Sequence, residues 1–182
     1  MARRTGILKD ASRRGEWVEL RFMAQAMLEG LLVSVPWGIR RYDVGVEQAR
    51  QRFRVQVKST VFPSPGTNHF RFPLSCGRRR YYTAREIDFL VLYLISIDRW
   101  YLIPARRLRI GNNFAQHIQI TPGRPHGRWM DYEERWDLLR GAKDTPARVK
   151  KKKRKRGKSA TGPSEGNRDQ ALHIQNAEKN DV

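Results

Sequence analysis

The amino-acid sequence predicts an α/β (α+β) domain with a mixed central β-sheet flanked by helices, followed by a basic, disordered tail. Three observations predict this architecture. Apolar residues at three- and four-residue steps indicate helices over residues 12–30 and 128–140. Six segments between them have the alternating or continuous apolar patterns of strands. Beyond residue 140 the chain offers little to bury and runs into a block of lysines and arginines.

The first half of the domain begins with a helix and a predicted hairpin. The helix over residues 12–30 starts at an N-cap, Ser12, and stops at Gly30. Its apolar side consists of Trp17, Leu20, Ala24, Met27, Leu28 and Leu31. Residues 31–35 are a short apolar strand that Pro36 ends. Polar and apolar side chains then alternate over residues 42–47 and 52–58, and a turn over residues 48–51 joins these two strands as a hairpin.

The second half of the domain contains the most apolar segment. Residues 69–74 form a weaker strand, whereas residues 88–97 are almost continuously apolar, as expected of a central strand buried on both faces. The pair Asp98-Arg99 turns the chain back into a strand over residues 100–103. The final helix, residues 128–140, has its apolar residues on one side: Trp129, Tyr132, Trp136 and Leu139. We therefore predict one folded domain over residues 1–140 and a tail over residues 141–182.

The net charge of the chain restricts its partners. The 182 residues include 37 Lys+Arg and 18 Asp+Glu, a formal net charge of +19. Such a charge requires an anionic partner or a large amount of counterion, and nucleic acid is the first expectation. The longest apolar run is too short to span a bilayer and no secretory signal is apparent, so we expect no membrane partner and a cytoplasmic, nucleoid-associated location. The single cysteine, Cys76, excludes a disulfide framework and a multi-cysteine zinc site.

Two basic segments are candidates for contact with phosphates. The tail carries the first segment, which we interpret as a disordered phosphate-binding tether: Lys150, Lys151, Lys152, Lys153 and Arg154. A solubilising tail or a nuclear address is the alternative interpretation. The second segment is a predicted loop that places Arg78, Arg79 and Arg80 before two tyrosines. This mixture suits phosphate contact with base stacking, although a solvated basic loop has the same composition.

The predicted hairpin brings chemically reactive side chains together. With a symmetric turn, Glu47 pairs with Arg52 and Asp43 lies opposite Gln56. Lys58 shares a face with Gln56 because side chains alternate along a strand. A carboxylate and an amide oxygen suit Mg²⁺, with Mn²⁺ as a substitute, and the lysine can polarise or deprotonate an attacking water. The patch therefore suits metal-assisted phosphodiester hydrolysis, whereas the alternative is a polar strand face that only meets solvent.

An ordered set of motifs resembles a known superfamily. The set comprises Gly15-x3-Glu19, Pro36-Trp-Gly38, Tyr42-Asp43, Arg54-Val-Gln-Val-Lys58, Ile87-Asp88-Phe89 and Trp100-Tyr101-Leu-Ile-Pro104. In this order the motifs resemble the PD-(D/E)xK nuclease superfamily, and more narrowly the group I intron-associated homing endonucleases, with a core similar to the archaeal Holliday junction resolvases. The resemblance implies a restriction-endonuclease-like core and metal-dependent cleavage of DNA.

The resemblance also implies a role for each site residue. Asp43 matches the first metal-binding aspartate, Gln56 the second acidic position and Lys58 the lysine. Glu19 matches the helix glutamate that many members turn toward the metal. The chain departs from the pattern at Tyr42, where members have proline, and at Gln56, which removes one negative charge. If Glu19 supplies a carboxylate, the site keeps two anionic ligands.

The sequence therefore predicts a Mg²⁺-dependent DNA endonuclease. Cutting both strands with one site in each chain requires two chains, so we expect a homodimer or a larger assembly. Because Gln56 is neutral, a nuclease-fold protein that binds DNA or RNA without cutting it is the main alternative. A basic RNA-associated structural protein that depends on residues 141–182 is a further alternative.

Overall fold

The computed structural model describes residues 9–38, 40–75, 82–83, 85–110, 113–125 and 127–144. All of them belong to one compact unit, residues 1–149. Both basic segments proposed for phosphate contact lie outside the described residues, namely Arg78, Arg79, Arg80, Lys150, Lys151, Lys152, Lys153 and Arg154. Within the described ranges, no helix has the length and apolar character needed to cross a bilayer.

The one long helix in the described part of the chain, α1, spans Ala11–Leu28. The predicted N-cap, Ser12, is wrong by two residues. The carboxylate of Asp10 accepts hydrogen bonds from the backbone N–H groups of Ser12 and Arg13, at 2.9 and 3.2 Å. An aspartate in this position satisfies two N–H groups that have no partner inside the helix, so Asp10 is the N-cap and Ala11 the first helical residue.

The C-terminal end of α1 follows the prediction, but its buried face does not. Gly30 adopts a φ of 76° directly after the helix, and the chain closes the last turn in a Schellman arrangement. The helix buries Val18, Phe22 and Ala26. Most of the apolar side predicted from the sequence instead faces solvent, with exposures of 63%, 64% and 82% for Leu20, Met27 and Leu28. Two apolar stripes lie on opposite sides of this helix, and periodicity alone cannot choose between them.

Nine strands, numbered in chain order, occur in the described part of the chain. They are β1 Leu32–Ser34, β2 Val44–Gln48, β3 Gln51–Thr60, β4 Phe70–Pro73, β5 Phe89–Leu94, β6 Arg99–Pro104, β7 Arg109–Ile110, β8 Asn113–Phe114 and β9 His117–Ile120. Five of them form the central sheet in the order β1-β2-β3-β5-β6. Strands β3 and β5 are parallel and the other pairs antiparallel, so the predicted mixed sheet is confirmed.

Strand β5 is the core of the sheet. Every one of its residues is buried, which confirms the central strand predicted from the continuous apolar run. The run continues past the strand into a 3₁₀ helix, Ile95–Ile97, and Asp98 turns the chain with a φ of 52°. On the α1 side of the sheet, Phe22 packs between Trp100 and Trp136, with ring centroids 5.9 and 5.6 Å apart. This aromatic cluster packs α1 against β6, at the edge of the central sheet.

The predicted helix over residues 128–140 is wrong. The segment forms two short 3₁₀ helices, Met130–Tyr132 and Trp136–Arg140, separated by Glu134 with a φ of 51°. The carboxylate of Glu134 accepts the backbone N–H of Trp100 at 2.9 Å, and its own N–H donates to the Trp100 carbonyl at 2.9 Å. Pairing with the edge strand β6 therefore replaces continuous helical hydrogen bonds. The predicted apolar residues of the segment are nevertheless buried.

Outside the central sheet, β4 and β9 pair as an antiparallel two-stranded ribbon. The sequence predicts a strand near β4 but not its partner, because β9 is only four residues long and lies almost fifty residues downstream. Strands β7 and β8 form a second, shorter pair. The β4–β9 ribbon packs beside β3 through β4.

Candidate active site

The hairpin of β2 and β3 sets the geometry of the site. Glu47 is opposite Arg52, as predicted, and their side chains form an ion pair at 3.3 Å. The turn consists of only two residues, Ala49 and Arg50, and Ala49 takes a left-handed φ of 53°. Just before β2, the backbone N–H of Asp43 donates to the carbonyl of Val55 at 2.9 Å. The register that places Asp43 beside Gln56 is therefore observed.

Asp43 is held by two donors from β3. Its Oδ2 accepts the backbone N–H of Val57 at 2.8 Å and a hydrogen bond from Nε2 of Gln56. Gln56 is only 8% exposed, which is unusual for a polar side chain in this chain. Burial raises the pKa of Asp43, against the lowering effect of these two hydrogen bonds and of the Lys58 charge. Oδ1 of Asp43 has no hydrogen bond within the described part of the chain.

Lys58 lies two residues beyond Gln56 on the same face of β3. Its Nζ donates to the carbonyl of Ser75 at 3.4 Å and lies 5.5 Å from the centroid of the Tyr82 ring. The sequence did not identify these two contacts, because they come from a loop with no periodic signal. They direct the ammonium group toward the end of β4. Lys58 is thus a positioned charge rather than a freely moving surface lysine.

Glu19 reaches the site from α1. Burial, followed by repulsion from Asp43 and Glu16, raises the pKa of Glu19 to about 7. The carboxylates of Glu19 and Asp43 are therefore within electrostatic reach of each other. The structure brings Asp43 and Gln56 into direct contact and places Lys58 within electrostatic reach of Asp43. Glu19 also lies within electrostatic reach of Asp43. It does not describe the arginines and lysines predicted to contact phosphates.

A cleft of about 180 Å³ opens at Lys58 between α1, β3 and β4. The residues that line it are Ala11, Arg14, Gly15, Val18, Val57, Lys58, Ser59, Phe72 and Pro73. The sequence did not point to Arg14, a cation that lines this cleft. Its spacing of four residues before Val18 places it on the buried side of α1, which the sequence assigned to the wrong stripe.

The donor atoms of the site fit a hard divalent cation. Carboxylate and amide oxygens are the ligands that Mg²⁺ prefers, and a second carboxylate, that of Glu19, lies within electrostatic reach of Asp43. Within the described ranges, no cluster of three or more His, Cys, Asp or Glu side chains is arranged to hold a metal ion. A complete ligand set here would therefore include the amide oxygen of Gln56.

Comparisons with known proteins identify the fold and the family of this chain. The structure is similar to that of I-Ssp6803I, a bacterial homing endonuclease, with 22% identity, a TM-score of 0.58, and coverage of 72% of this chain and 92% of that chain. It is also similar to Hjc, a Holliday junction resolvase from Archaeoglobus fulgidus, with 13% identity, a TM-score of 0.43 and coverage of 60% and 84%. No match was found among curated proteins. A family model described as PD-(D/E)XK endonuclease matches residues 9–139. The chain therefore belongs to the PD-(D/E)XK endonuclease family and has its restriction-endonuclease-like fold.

Proposed function

We propose that this protein is a metal-dependent DNA endonuclease that hydrolyses phosphodiester bonds, with Mg²⁺ as its natural cofactor and Mn²⁺ as a substitute. One observation carries the proposal most directly. The hairpin holds Asp43 against Gln56 and the Val57 N–H, with Lys58 on the same face. Family membership supports nuclease activity, and the acid-poor, strongly basic composition supports DNA as the substrate.

Each residue of the site has a distinct role in the proposal. Asp43, Gln56 and Glu19 would hold the cation through carboxylate and amide oxygens. When bound, a divalent cation polarises a phosphate oxygen and lowers the pKa of its water. Lys58 would orient the attacking water and offset the negative charge that develops on the scissile phosphate. Its hydrogen bond to Ser75 restrains the ammonium, so little reorientation is required.

The test is cleavage of a supercoiled plasmid and of a four-way DNA junction in the presence of Mg²⁺. We expect Asp43→Asn and Lys58→Met to lower the rate by roughly a hundredfold or more, and EDTA to abolish cleavage. Lys143→Met removes an exposed lysine elsewhere and serves as the matched control. Far-ultraviolet circular dichroism of each variant separates loss of fold from loss of chemistry. Plasmid nicking at an unchanged rate in both site variants would contradict the assignment of Asp43 and Lys58 to the active site.

A protein that binds nucleic acid without cutting it is the second candidate, and Gln56 motivates it. A neutral side chain at the second acidic position leaves Asp43 and Glu19 as the anionic ligands. Calorimetric titration of the folded protein with Mn²⁺ or Mg²⁺ distinguishes the two candidates. Binding that is lost in Asp43→Asn supports the nuclease, whereas no metal binding by the wild type supports the second candidate.

The number of chains and the type of target belong to the same proposal. Cleavage of both strands needs two sites, so we propose a homodimer or larger assembly on DNA. Light scattering of the protein–DNA complex tests this, and a monomer that still makes double-strand breaks would contradict it. From the resemblance to intron-associated homing endonucleases, we further propose a duplex target from a group I intron system. Faster cutting of the junction than of the plasmid would contradict that extension.

A further inference from the structure

Acidic residues are absent from two long stretches of this chain. Residues 48–85 and 99–130 contain no Asp or Glu, although the whole sequence has 18 of them. These two stretches supply β4 and β9, the strands of the β4–β9 ribbon. No carboxylate on either stretch can therefore repel a phosphate that approaches the ribbon.

The two faces of the β4–β9 ribbon differ sharply. One face packs into the core through Phe70, Phe72, Ile118 and Ile120. The opposite face is exposed and carries Arg71, Pro73, His117 and Gln119. Arg71 is paired directly with Gln119 across the two strands, so their side chains leave the ribbon side by side. This face therefore presents an arginine and a glutamine together to solvent.

Most arginines elsewhere in the described residues are neutralised by a carboxylate. Such pairs include Arg21–Asp98, Arg54–Asp88, Arg107–Asp144, Arg135–Asp137 and Arg140–Glu29, all with N···O distances of 2.9 Å or less. Arg71 has no such partner within the described ranges. Its charge is therefore available to an anionic or hydrogen-bond-accepting ligand.

Two further arginines extend the positive charge next to the ribbon. Arg124 and Arg128 line a cleft of about 380 Å³ together with Gln119. Arg128 lies over the Trp129 ring at 4.5 Å and donates to backbone carbonyls, so no carboxylate in the described part of the chain neutralises it. Arg124 likewise has no ion-pair partner among the described residues. The surface beside Gln119 is therefore suited to phosphate contact.

The ribbon ends at the candidate active site. Phe72 and Pro73 line the same cleft as Lys58, and the Lys58 Nζ donates to the carbonyl of Ser75, two residues after β4. Arg71 precedes Pro73 by two positions, a distance of about 7 Å along a strand. That distance matches about two base-pair steps of duplex DNA. Arg71 and Gln119 would therefore meet bases close to the phosphate at Lys58.

We propose that the exposed face of the β4–β9 ribbon enters the major groove of duplex DNA and reads base edges beside the cleaved phosphate. Arg71 would bind guanine, Gln119 would bind adenine, and Arg124 and Arg128 would hold the flanking backbone. The major groove admits a two-stranded ribbon, and these two side chains form bidentate hydrogen bonds with these two bases. The inference rests on the proposed endonuclease function, because it assigns the base preference of that same site.

The test selects bound sequences from a randomised duplex library by gel shift in EDTA, so that no cleavage occurs. The wild-type protein should enrich a preferred sequence. Arg71→Ala should lose the preference for guanine at one position and bind the enriched duplex roughly 5- to 150-fold more weakly. Arg71→Lys should lose the same preference while keeping its affinity for unselected duplex, since lysine lacks the forked donor pair. Gln119→Glu should lose the preference for adenine and gain a preference for cytosine at the same position.

Two controls separate base reading from charge and from catalysis. Arg124→Ala should weaken binding to all sequences alike and reduce its salt dependence. Arg50→Ala removes the same charge from the β2–β3 turn, at the far end of the hairpin from Asp43, and should leave the preference unchanged. Enrichment of the same sequences by wild type, Arg71→Ala and Gln119→Glu would overturn the inference, as would a wild type without preference. A wild-type protein that enriches a preferred sequence but does not cleave DNA with Mg²⁺ would count against the proposed function alone.

Discussion

The carboxyl group of Glu19 should make the metal-free protein less stable as pH rises. Its pKa is raised from 4.5 to about 7 in the folded state, first by burial and then by repulsion from Asp43 and Glu16. Between these values the folded chain keeps a proton that the unfolded chain has released, so the free energy of unfolding falls as pH increases through this window. Without solvent screening, a shift of this size corresponds to a loss of about 3 kcal/mol. Because Glu19 is partly exposed and solvent screens its charge, we expect about 1–2 kcal/mol.

The perturbation that tests this is Glu19→Gln, which removes the titrating group and keeps its shape. Urea unfolding in EDTA at pH 5 and pH 8 gives the free energy of unfolding of each protein at both values. The wild type should lose about 1–2 kcal/mol more than the variant between them. Glu16→Gln is the comparison on the same helix. The Glu16→Gln variant should still lose most of this stability between pH 5 and pH 8, because repulsion from Glu16 is the smallest of the three causes of the raised Glu19 pKa.

Parallel pH profiles for wild type and Glu19→Gln would refute the reasoning. They would mean that the Glu19 carboxyl titrates near its ordinary value, and that it does not lie within electrostatic reach of Asp43. Under the proposed function, Mg²⁺ competes with the proton. Added Mg²⁺ should therefore stabilise the wild type more at pH 8 than at pH 5, and Glu19→Gln should show less of this difference.

Further predictions concern the scaffold and are all measured by urea unfolding. Phe22→Ala should cost about 3–5 kcal/mol, because Phe22 is fully buried within the aromatic cluster. Ser34→Ala should stabilise the protein by about 1 kcal/mol, since the Ser34 hydroxyl is buried with no hydrogen-bond partner among the described residues. Ala49→Gly should gain about 0.5–1 kcal/mol by relieving the left-handed φ of the hairpin turn. Asp88→Asn should cost about 1–2 kcal/mol at neutral pH. Burial raises the pKa of Asp88, but three hydrogen bonds from Arg54 outweigh it and lower the pKa, so this cost should disappear as pH falls through that lowered value.

The hairpin site was predictable because its geometry is local. A strand alternates its side chains, and a symmetric turn fixes which residues are opposite each other, so Asp43 and Gln56 could be paired from their positions in the chain. The buried strand β5 was predictable for a similar reason. A strand that is apolar on both faces must be covered on both faces, which is the environment of a central strand. The proximity of Glu19 to Asp43 could not be predicted in this way, because no local sequence pattern determines where a helix packs on a sheet. That expectation came from the family resemblance.

The features that the sequence did not predict depend on distant contacts. Helix α1 carries two apolar stripes, and only packing against Trp100 and Trp136 decides that Phe22 is buried rather than Leu20. The segment over residues 128–140 has a helical pattern, but hydrogen bonds between Glu134 and the edge of β6 interrupt it. Strand β9 is four residues long and becomes recognisable only beside its partner.

The two-residue turn of the hairpin has a consequence for how this protein folds. Hairpins closed by short turns form within about 1–10 μs, whereas parallel strands must first close a long intervening loop. Asp43, Gln56 and Lys58 should therefore acquire their mutual register early in folding, before β3 finds β5. These residues become partly or fully buried only in the later step, when β3 pairs with β5. Substitutions in the turn should thus alter the folding rate, whereas substitutions in β5 should act mainly on the rate of unfolding.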